Sequence, residues 1–329
     1  MDFRALLTDK HADGTVTSSV QRLDEDRLPQ GNVTVDIEWA GLNYKDGLCV
    51  TGAGGLVRNF PHVAGIDFAG TTRSSDDPRY QPGDKVVLTG WRVGETHWGG
   101  YAERARVDAD WLVPLPSGLG TRDAMVIGTA GLTAMLAINR LEAAGLAPGA
   151  GEVLVTGAAG GVGSIATSLL ASLGHQVAAL SGRPQHGEAL RALGAASVID
   201  RGEFLAMPDK PLESARFAAA IDNVGGAVLG KLLKQIKYGG AVASIGNAAG
   251  IELATNVLPF ILRGVTLIGI DSVMQPFETR VAAWRRLAET FDLAAYGGLV
   301  REIGLEDLPG AAAEILQGEV RGRVVVKVG

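Results

Sequence analysis

Residues 155–164 have the sequence VTGAAGGVGS. The apolar run from Glu152 to Val155 precedes it and predicts a β-strand, while Ile165 to Leu173 follows it and predicts a helix. A dinucleotide pyrophosphate must approach backbone N–H groups at a helix N-terminus, where the helix dipole favours its charge and any Cβ would hold it off. The three glycine places of the dinucleotide-binding pattern are taken by Ala158, Gly160 and Gly163. The stretch therefore predicts a nucleotide-binding strand–turn–helix whose first glycine is replaced by alanine.

A second apolar run, Gln176 to Leu180, follows the predicted helix and its Gly174 stop, so the two runs form a βαβ unit. The second run ends in Ser181-Gly182-Arg183. An acidic residue usually meets the free ribose 2′-hydroxyl at this place, whereas a guanidinium binds a 2′-phosphate through charge-assisted hydrogen bonds. The segment therefore predicts NADPH rather than NADH as the cofactor. The alternative is a surface turn that carries an ordinary solvated arginine.

The pattern of residue types changes along the chain, and this change predicts two domains of different fold. Up to about residue 120 short alternating strands with frequent Gly and Pro predict a small β-rich barrel. Apolar runs then alternate with helical segments, which predicts a doubly wound parallel sheet of the α/β class. The expected strands are near 152–157, 176–181, 197–200, 217–222, 240–246 and 265–271. The apolar tail 322–328 is predicted to be a strand that rejoins the first domain. We expect a β-rich substrate domain at 1–123, a nucleotide domain at 124–265 and a returning segment at 266–329.

Composition narrows the class of protein. The 329 residues carry a formal net charge of −6, and no basic block marks a nucleic-acid partner. The N-terminus has no signal-peptide pattern, and no apolar run was expected to approach the ~20 residues that span a bilayer, so a cytoplasmic protein without membrane association is expected. The one cysteine, Cys49, lies among apolar residues and glycines and is predicted to be a passive core residue. The five histidines show no ligand spacing, and no metal site is expected.

Motifs across the whole chain resemble the medium-chain dehydrogenase/reductase superfamily. Zinc alcohol dehydrogenases of that superfamily carry Gly-His-Glu, where this chain has Gly65-Ile66-Asp67, and the cysteines of a structural zinc are missing. The pattern resembles the zinc-free quinone oxidoreductase branch, whose N-x-x-D element matches Asn43-Tyr44-Lys45-Asp46 and whose G-T-A-G-x-T-A segment matches residues 128–134. The resemblance implies a Rossmann doubly wound parallel sheet together with a β-rich GroES-like barrel domain.

Within that branch, four longer stretches resemble the NADPH-dependent acrylyl-CoA reductase family. They are residues 41–46, 181–183, 244–247 and 258–273. The resemblance implies reduction of the carbon–carbon double bond of acrylyl-CoA to propanoyl-CoA, and a homodimer that pairs through the segment 265–273. The nucleotide contacts that it implies are Tyr44, Ala159, Gly160, Gly161, Val162, Gly163, Ser181, Gly182, Arg183, Arg201, Asn247 and Ser272.

The reaction also fits these residue types chemically. Hydride addition to the β-carbon of an unsaturated thioester builds negative charge on the thioester oxygen, which needs preorganised hydrogen-bond donors. Tyr44 is the best candidate, since its phenol can pack on the nicotinamide and donate, although an aromatic core filler has the same sequence signature. Asn43 is either a donor or a turn residue, and Asp46 is an orienting acceptor rather than a base. Arg201 either binds the adenosine phosphate or forms a surface salt bridge.

Two other functions stay open at this point. The same fold could be a non-catalytic NADPH-binding sensor, which single-turnover loss of NADPH absorbance with an enoyl thioester would exclude. It could also be a zinc-free quinone or enone reductase with a small free substrate, because the glycine-rich run 51–55 could line either kind of pocket. Coenzyme A should inhibit a thioester reductase and leave a quinone reductase unaffected.

Overall fold

The computed structural model describes residues 2–329, apart from the side chain of Pro184. Its strands are β1 (Asp2–Lys10), β2 (Val16–Asp24), β3 (Val33–Leu42), β4 (His62–Val63), β5 (Asp67–Ser75), β6 (Lys85–Thr89), β7 (Arg104–Val107), β8 (Leu112–Pro114), β9 (Glu152–Thr156), β10 (Gln176–Ser181), β11 (Ala195–Asp200), β12 (Phe217–Asp222), β13 (Ile236–Ser244), β14 (Thr266–Gly269), β15 (Val300–Gly304) and β16 (Arg323–Lys327).

The α-helices lie between these strands. They are α1 (Tyr44–Thr51), α2 (Thr121–Ala143), α3 (Gly161–Ser172), α4 (Gly187–Ala192), α5 (Arg201–Ala206), α6 (Gly226–Leu233), α7 (Leu258–Arg263), α8 (Phe277–Thr290), α9 (Leu293–Tyr296) and α10 (Leu308–Leu316). Helix α3 begins at Gly161, four residues earlier than predicted, because Gly160 serves as its N-cap in an extended conformation.

The chain divides into two compact units. One contains the described residues up to Thr129 together with 272–288 and 299–329, and the other contains 130–271 together with 289–298. The chain therefore enters and leaves the second unit twice. Residues 289–298 are a short return to the second unit between two segments of the first.

The second unit is built on a parallel sheet with the strand order β11-β10-β9-β12-β13-β14. This order confirms the predicted doubly wound sheet, and each predicted strand is present within a few residues of its expected position. Its core is a buried cluster around Leu154, Leu180, Phe204 and Phe217. Strands β9 and β12 are neighbours although their helical connections leave in opposite directions along the sheet. Ligands of such sheets bind at the carboxyl ends of the strands where the order reverses.

The first unit holds a three-stranded sheet, β2-β1-β4, and a seven-stranded sheet that runs β15-β16-β3-β5-β6-β8 with β7 paired to β3. The tail strand β16 pairs antiparallel with β3, so the predicted return of the tail to the β-rich part is confirmed. Helix α1 follows β3 and packs against α10. A Cβ on Gly47 would lie 2.9 Å from the Ile315 Cγ2 atom, so glycine permits this close packing.

Helix α2 differs from one expectation. It is 23 residues long, and a window of mean hydropathy 1.4 within it is 83% buried. Its length and composition would be sufficient to span a membrane, whereas the sequence analysis predicts no segment of that kind. The buried core helix of a globular domain can have the same length and composition, and α2 has the burial of such a helix.

Candidate active site

The glycine-rich turn after β9 shows why its first glycine place tolerates alanine. The left-handed conformation of the turn falls on Gly157, at φ +59°, one residue before Ala158. Close packing falls on Gly163, where a Cβ would lie 2.3 Å from the Gly157 carbonyl oxygen. Glycine is therefore required at 157 and 163, whereas Ala158 lies in a position with an ordinary backbone conformation.

The N-terminus of α3 offers free backbone donors. The Ser164 N–H donates to the Gly160 carbonyl at 2.9 Å and closes the first helical turn. The N–H groups of Gly161, Val162 and Gly163 precede this bond and have no carbonyl one turn back within the helix. Together with Ala159 and Gly160, the segment forms a cradle that lacks large side chains, as does the anion-binding N-terminus of a helix.

The segment after β10 contains Arg183 and lies beside the guanidinium group of Arg201. The Ser181 hydroxyl is buried and accepts the Arg183 N–H at 3.1 Å, which fixes the turn. A Cβ on Gly182 would lie 2.8 Å from Arg201 Nη2, so the Arg201 guanidinium lies directly over Gly182. Within residues 2–329 neither Arg183 nor Arg201 has an ion-pair partner, and both charges are available to an anion.

Sequence reasoning missed Asn223, which follows β12 at the point where the strand order reverses. Its backbone N–H donates to the Thr156 hydroxyl at 2.9 Å, and its side-chain amide donates to the Thr156 carbonyl at 2.8 Å. Its Oδ1 atom is buried and has no hydrogen-bond partner in the described chain. The preceding Asp222 accepts from Thr156 and Gly225, and burial raises its pKa. A polar pair directly after the apolar run 217–221 is the sequence signal that could have revealed this position.

Asn247 and Ser272 lie in different units. Asn247 is exposed on the loop after β13, and a Cβ on Gly225 would lie 3.2 Å from its Cα, so this loop packs on the turn that follows Asn223. Ser272 belongs to the first unit, where its carbonyl accepts from Arg280 at 3.1 Å. The second unit thus contains every predicted nucleotide-binding residue except Tyr44 and Ser272.

The first unit carries the predicted catalytic residues at the start of α1. Tyr44 is the first residue of α1 and its side chain is 54% exposed, so it is not a core filler. Asn43 is the N-cap, and its backbone N–H donates to the Asp46 carboxylate at 2.9 Å. The N-x-x-D element is therefore a capping arrangement that presents the Tyr44 ring at the surface of this unit.

The side chain of Asn43 has no free N–H donor. Its amide nitrogen donates to Asp46 Oδ2 at 3.0 Å and to Asp67 Oδ1 at 3.1 Å. Its Oδ1 atom accepts from Arg323 Nη1 at 3.1 Å. A primary amide has two N–H bonds, and both point at carboxylates here. Donation from Asn43 to a substrate would require one of these bonds to break.

Asp46 is fully buried and accepts three hydrogen bonds, two from Asn43 and one from the Ile66 N–H at 2.8 Å. Burial, assisted by the nearby Asp67 carboxylate, raises the pKa of Asp46 to about 7. Near neutral pH this carboxyl group is partly protonated. Its place inside the network makes it an orienting group for the residues around it.

Asp67 and Arg323 are further residues that sequence reasoning did not place in the site. Helix α2 is interrupted at Gly128, which has φ +51° and ψ −159°. Asp67 Oδ2 accepts the Thr129 N–H at 2.7 Å, while Arg323 donates to the carbonyls of Met125 and Val126 at 3.2 and 3.1 Å. The two side chains therefore supply hydrogen bonds where the helix is broken. A lone arginine at the start of the apolar strand 323–327 was the available signal.

Two remaining expectations concern cysteine and metal. Cys49 is buried, and burial raises the pKa of its thiol to about 12, which makes it unreactive at neutral pH. Across residues 2–329 no group of three His, Cys, Asp or Glu side chains is arranged to hold a metal ion. All three N–H donors that surround Asp67, from Gly41, Asn43 and Thr129, point at its two oxygens.

Comparison with known proteins assigns the chain to a family. Residues 29–117 match the alcohol dehydrogenase GroES-like domain, and residues 161–306 match the zinc-binding dehydrogenase model. The acrylyl-CoA reductase AcuI of Ruegeria pomeroyi is 56% identical over 327 residues, 99% of each chain. The putative quinone oxidoreductase YhfP of Bacillus subtilis is 45% identical over 327 residues, again 99% of each chain.

A solved structure agrees with this assignment. The yhdH oxidoreductase of Salmonella enterica, determined in complex with NADP, superposes with a TM-score of 0.96 and 52% identity, covering 99% of this chain and all of that one. The resemblance found in the sequence is confirmed over the full length of the chain. The protein belongs to the medium-chain dehydrogenase/reductase superfamily and, within it, to the quinone-oxidoreductase-like branch that contains the acrylyl-CoA reductases.

Proposed function

We propose that the protein is an NADPH-dependent acrylyl-CoA reductase, which reduces the carbon–carbon double bond of acrylyl-CoA to give propanoyl-CoA. The observation that carries the proposal is the 56% identity, over 99% of both chains, to a protein of that name. The local geometry of the two units is consistent with each part of the reaction.

The second unit has the features that NADPH requires. The pyrophosphate would be bound by the cradle from Ala159 to Gly163, where the first N–H groups of α3 have no partner within the helix and glycine at 163 lets the helix pack closely on the turn. The 2′-phosphate would be bound by the guanidinium groups of Arg183, which follows Gly182, and of Arg201, which lies over Gly182. Asn223, with its buried and unpartnered Oδ1, and Asn247 follow the carboxyl ends of β12 and β13, and in this proposal they bind the remaining polar groups of the dinucleotide.

The chemistry of the bound cofactor is hydride donation to the β-carbon of the unsaturated thioester. Negative charge then develops on the thioester oxygen, and a proton must reach the α-carbon. The exposed Tyr44 phenol is the candidate that packs against the nicotinamide and donates a secondary hydrogen bond to this oxygen. A tyrosine can do both, since it has an apolar ring face and a polar tip.

Asn43 and Asp46 act as positioning residues in this proposal. Their hydrogen-bonding groups are used inside the network with Asp67 and Arg323, so they hold the first turn of α1 and do not contact the substrate. A buried network of this kind fixes the neighbouring backbone in a single arrangement when every member is satisfied. The direction in which Tyr44 leaves the helix is set by this arrangement.

The reaction is proposed to be independent of zinc. The residues at the place of the zinc-ligand pair are Ile66 and Asp67, and the Asp67 oxygens already accept three N–H donors. Activity should survive exhaustive chelation, and metal analysis of active protein should find no stoichiometric zinc. Activity that vanishes with a chelator and returns with zinc would contradict this part of the proposal.

The protein is proposed to be a cytoplasmic homodimer that acts without a membrane or nucleic acid. Strand β14 lies at the edge of its sheet, and an exposed edge is a template for pairing with another chain. The preceding segment exposes Val257, Ile261 and Leu262 by 57–69%. Light scattering should give twice the chain mass of 34.1 kDa. Charged substitutions at Ile261 and Leu262 should shift the protein toward the monomer.

A substrate panel tests the proposal against a quinone reductase. Acrylyl-CoA, longer enoyl-CoA thioesters, quinones and small enones are assayed with NADPH and with NADH. Acrylyl-CoA with NADPH should give the highest kcat/KM, and free coenzyme A should inhibit competitively. Higher kcat/KM for quinones without inhibition by coenzyme A would favour the quinone reductase, and NADPH binding without any turnover would favour a sensor.

A further inference from the structure

Tyr296 is a fully buried tyrosine on the short return segment 289–298. This segment belongs to the second unit, although the residues on both sides of it belong to the first. Asp292 caps α9 by accepting the Ala295 N–H at 2.9 Å, and the Phe291 ring lies 5.1 Å from the Tyr296 ring. The Tyr296 hydroxyl is thus held by a capped helical turn and an aromatic neighbour.

The Tyr296 hydroxyl reaches the first turn of α3. It lies 2.6 Å from the Ser164 hydroxyl, which is itself 2.7 Å from the Gly160 carbonyl oxygen. A carbonyl only accepts, so the single hydroxyl proton of Ser164 points to the Gly160 carbonyl at 2.7 Å, with the Gly161 carbonyl as a longer contact at 3.2 Å. Ser164 must then accept from Tyr296. The result is a directed chain in which Tyr296 donates to Ser164 and Ser164 donates to Gly160.

The last acceptor in this chain of hydrogen bonds, the Gly160 carbonyl, determines the direction of the Gly161 N–H in the pyrophosphate cradle. The Gly160 carbonyl and the Gly161 N–H belong to one planar peptide group and point in opposite directions. Two donors, the Ser164 hydroxyl and the Ser164 N–H, hold that carbonyl toward the helix. The Gly161 N–H is therefore held outward, and without side-chain support this glycine–glycine peptide could rotate with little steric resistance.

We infer that Tyr296 and Ser164 are positioning residues for the dinucleotide, through which the return segment 289–298 sets cofactor affinity. The inference rests on the nucleotide-binding part of the proposed function and not on the substrate. It concerns the pyrophosphate, which NADPH and NADH share. Loss of this chain of hydrogen bonds should therefore weaken the binding of both cofactors by the same factor.

The test is the Kd of NADPH and NADH, measured by fluorescence titration of the full-length protein. Tyr296→Phe and Ser164→Ala should each raise both Kd values about three- to tenfold, which is the effect of one lost hydrogen bond. The double variant should be no weaker than the weaker single variant, because both substitutions break one chain. The KM of NADPH should rise together with its Kd.

Tyr80→Phe is the matched control. Its hydroxyl is buried and donates to the Leu112 carbonyl at 2.6 Å in the first unit, so the variant also loses one buried tyrosine hydrogen bond. Its Kd values should stay within about twofold of wild type whatever its Tm. Unchanged Kd values in folded Tyr296→Phe would overturn the inference, as would additive losses in the double variant or an equal loss in Tyr80→Phe. Failure to reduce acrylyl-CoA would refute the proposed substrate and leave these Kd comparisons intact.

Discussion

The Thr129 backbone N–H donates to the Asp67 carboxylate at 2.7 Å, whereas continuous helical geometry would direct it to the Met125 carbonyl. Arg323 donates to that carbonyl instead, at 3.2 Å. A carboxylate and a guanidinium thus replace the backbone partners at the interruption of α2. Both groups also bind Asn43, so the interruption of α2 and the start of α1 share one buried network.

Gly128→Ala should destabilise the protein strongly. A Cβ at this position would lie 2.6 Å from Arg323 Nη2 and 2.8 Å from Asp67 Oδ2, and its backbone region is almost restricted to glycine. We expect a loss of about 3 kcal/mol or more in the free energy of unfolding, measured with urea. The control is Gly118→Ala, where φ is +92° but no atom lies within 4 Å of a Cβ. Equal losses in both variants would mean that the network at Gly128 is not tightly packed.

The Asp46 carboxyl should make stability depend on pH in a defined direction. Its pKa is about 7 in the fold and 3.8 ordinarily, so between these values the folded state holds a proton that the unfolded state releases. Its contribution to stability is therefore greatest at low pH and falls as pH rises from 4 to 7, by up to about 1.4 kcal/mol per pH unit.

Asp46→Asn isolates this contribution. Burial lowers the pKa values of His62 and His97, and these groups act oppositely because they favour the folded state as pH rises. Their effect is common to both proteins and cancels in the difference. The free energy of unfolding of wild type minus that of Asp46→Asn should fall between pH 4 and pH 7. A difference that is constant or rises with pH would contradict the raised pKa.

Arg183→Ala should selectively weaken the binding of NADPH. A charge-assisted hydrogen bond to phosphate contributes about 1.5–3 kcal/mol, so the Kd of NADPH should rise roughly ten- to a hundredfold while that of NADH barely changes. Arg140→Ala serves as a control, since Arg140 is an exposed arginine of the chain outside the nucleotide segment. Equal losses for both cofactors in Arg183→Ala would refute the phosphate assignment.

Tyr44→Phe and Tyr44→Ala should separate packing from hydrogen bonding. If the ring mainly packs on the nicotinamide, Phe should keep most of the hydride-transfer rate and Ala should impair NADPH binding. An essential oxyanion donor would instead cost about 2.7–4 kcal/mol in the Phe variant, a hundredfold or more in rate. We expect the first pattern in single-turnover measurements with acrylyl-CoA. Tyr238→Phe, at an 84% exposed tyrosine of the second unit, should change neither quantity.

The parallel sheet was predictable because its strands are short apolar runs that are buried on both faces. The runs at 152–156 and 217–222 lie between clear turn signals, and their order follows from the right-handed βαβ connection. The glycine pattern likewise located the cradle. Its exact conformation was not predictable, since the choice of Gly157 for the left-handed position depends on the backbone and not on residue type alone.

The polar network of the first unit, which contains Asn43 and Arg323, could not be predicted from the sequence. Arg323 and Asn43 are separated by 280 residues and meet only because β16 pairs with β3. The Tyr296–Ser164 contact joins residues 132 apart for a similar reason. Local patterns encode turns, caps and burial, whereas the partner of a buried charge is decided by tertiary pairing. In the sequence Asp67 is only a departure from a zinc-ligand motif, whereas in the structure its three N–H donors define its role.

The most direct test of the proposed function follows the hydride itself. Acrylyl-CoA is incubated in ordinary water with NADPH that carries deuterium at the transferable C4 position, and the product is examined by mass spectrometry and NMR. The account predicts propanoyl-CoA with one deuterium at C3, the former β-carbon, and hydrogen from water at C2. Deuterium at C2, or no conversion of acrylyl-CoA while a quinone is reduced, would contradict it.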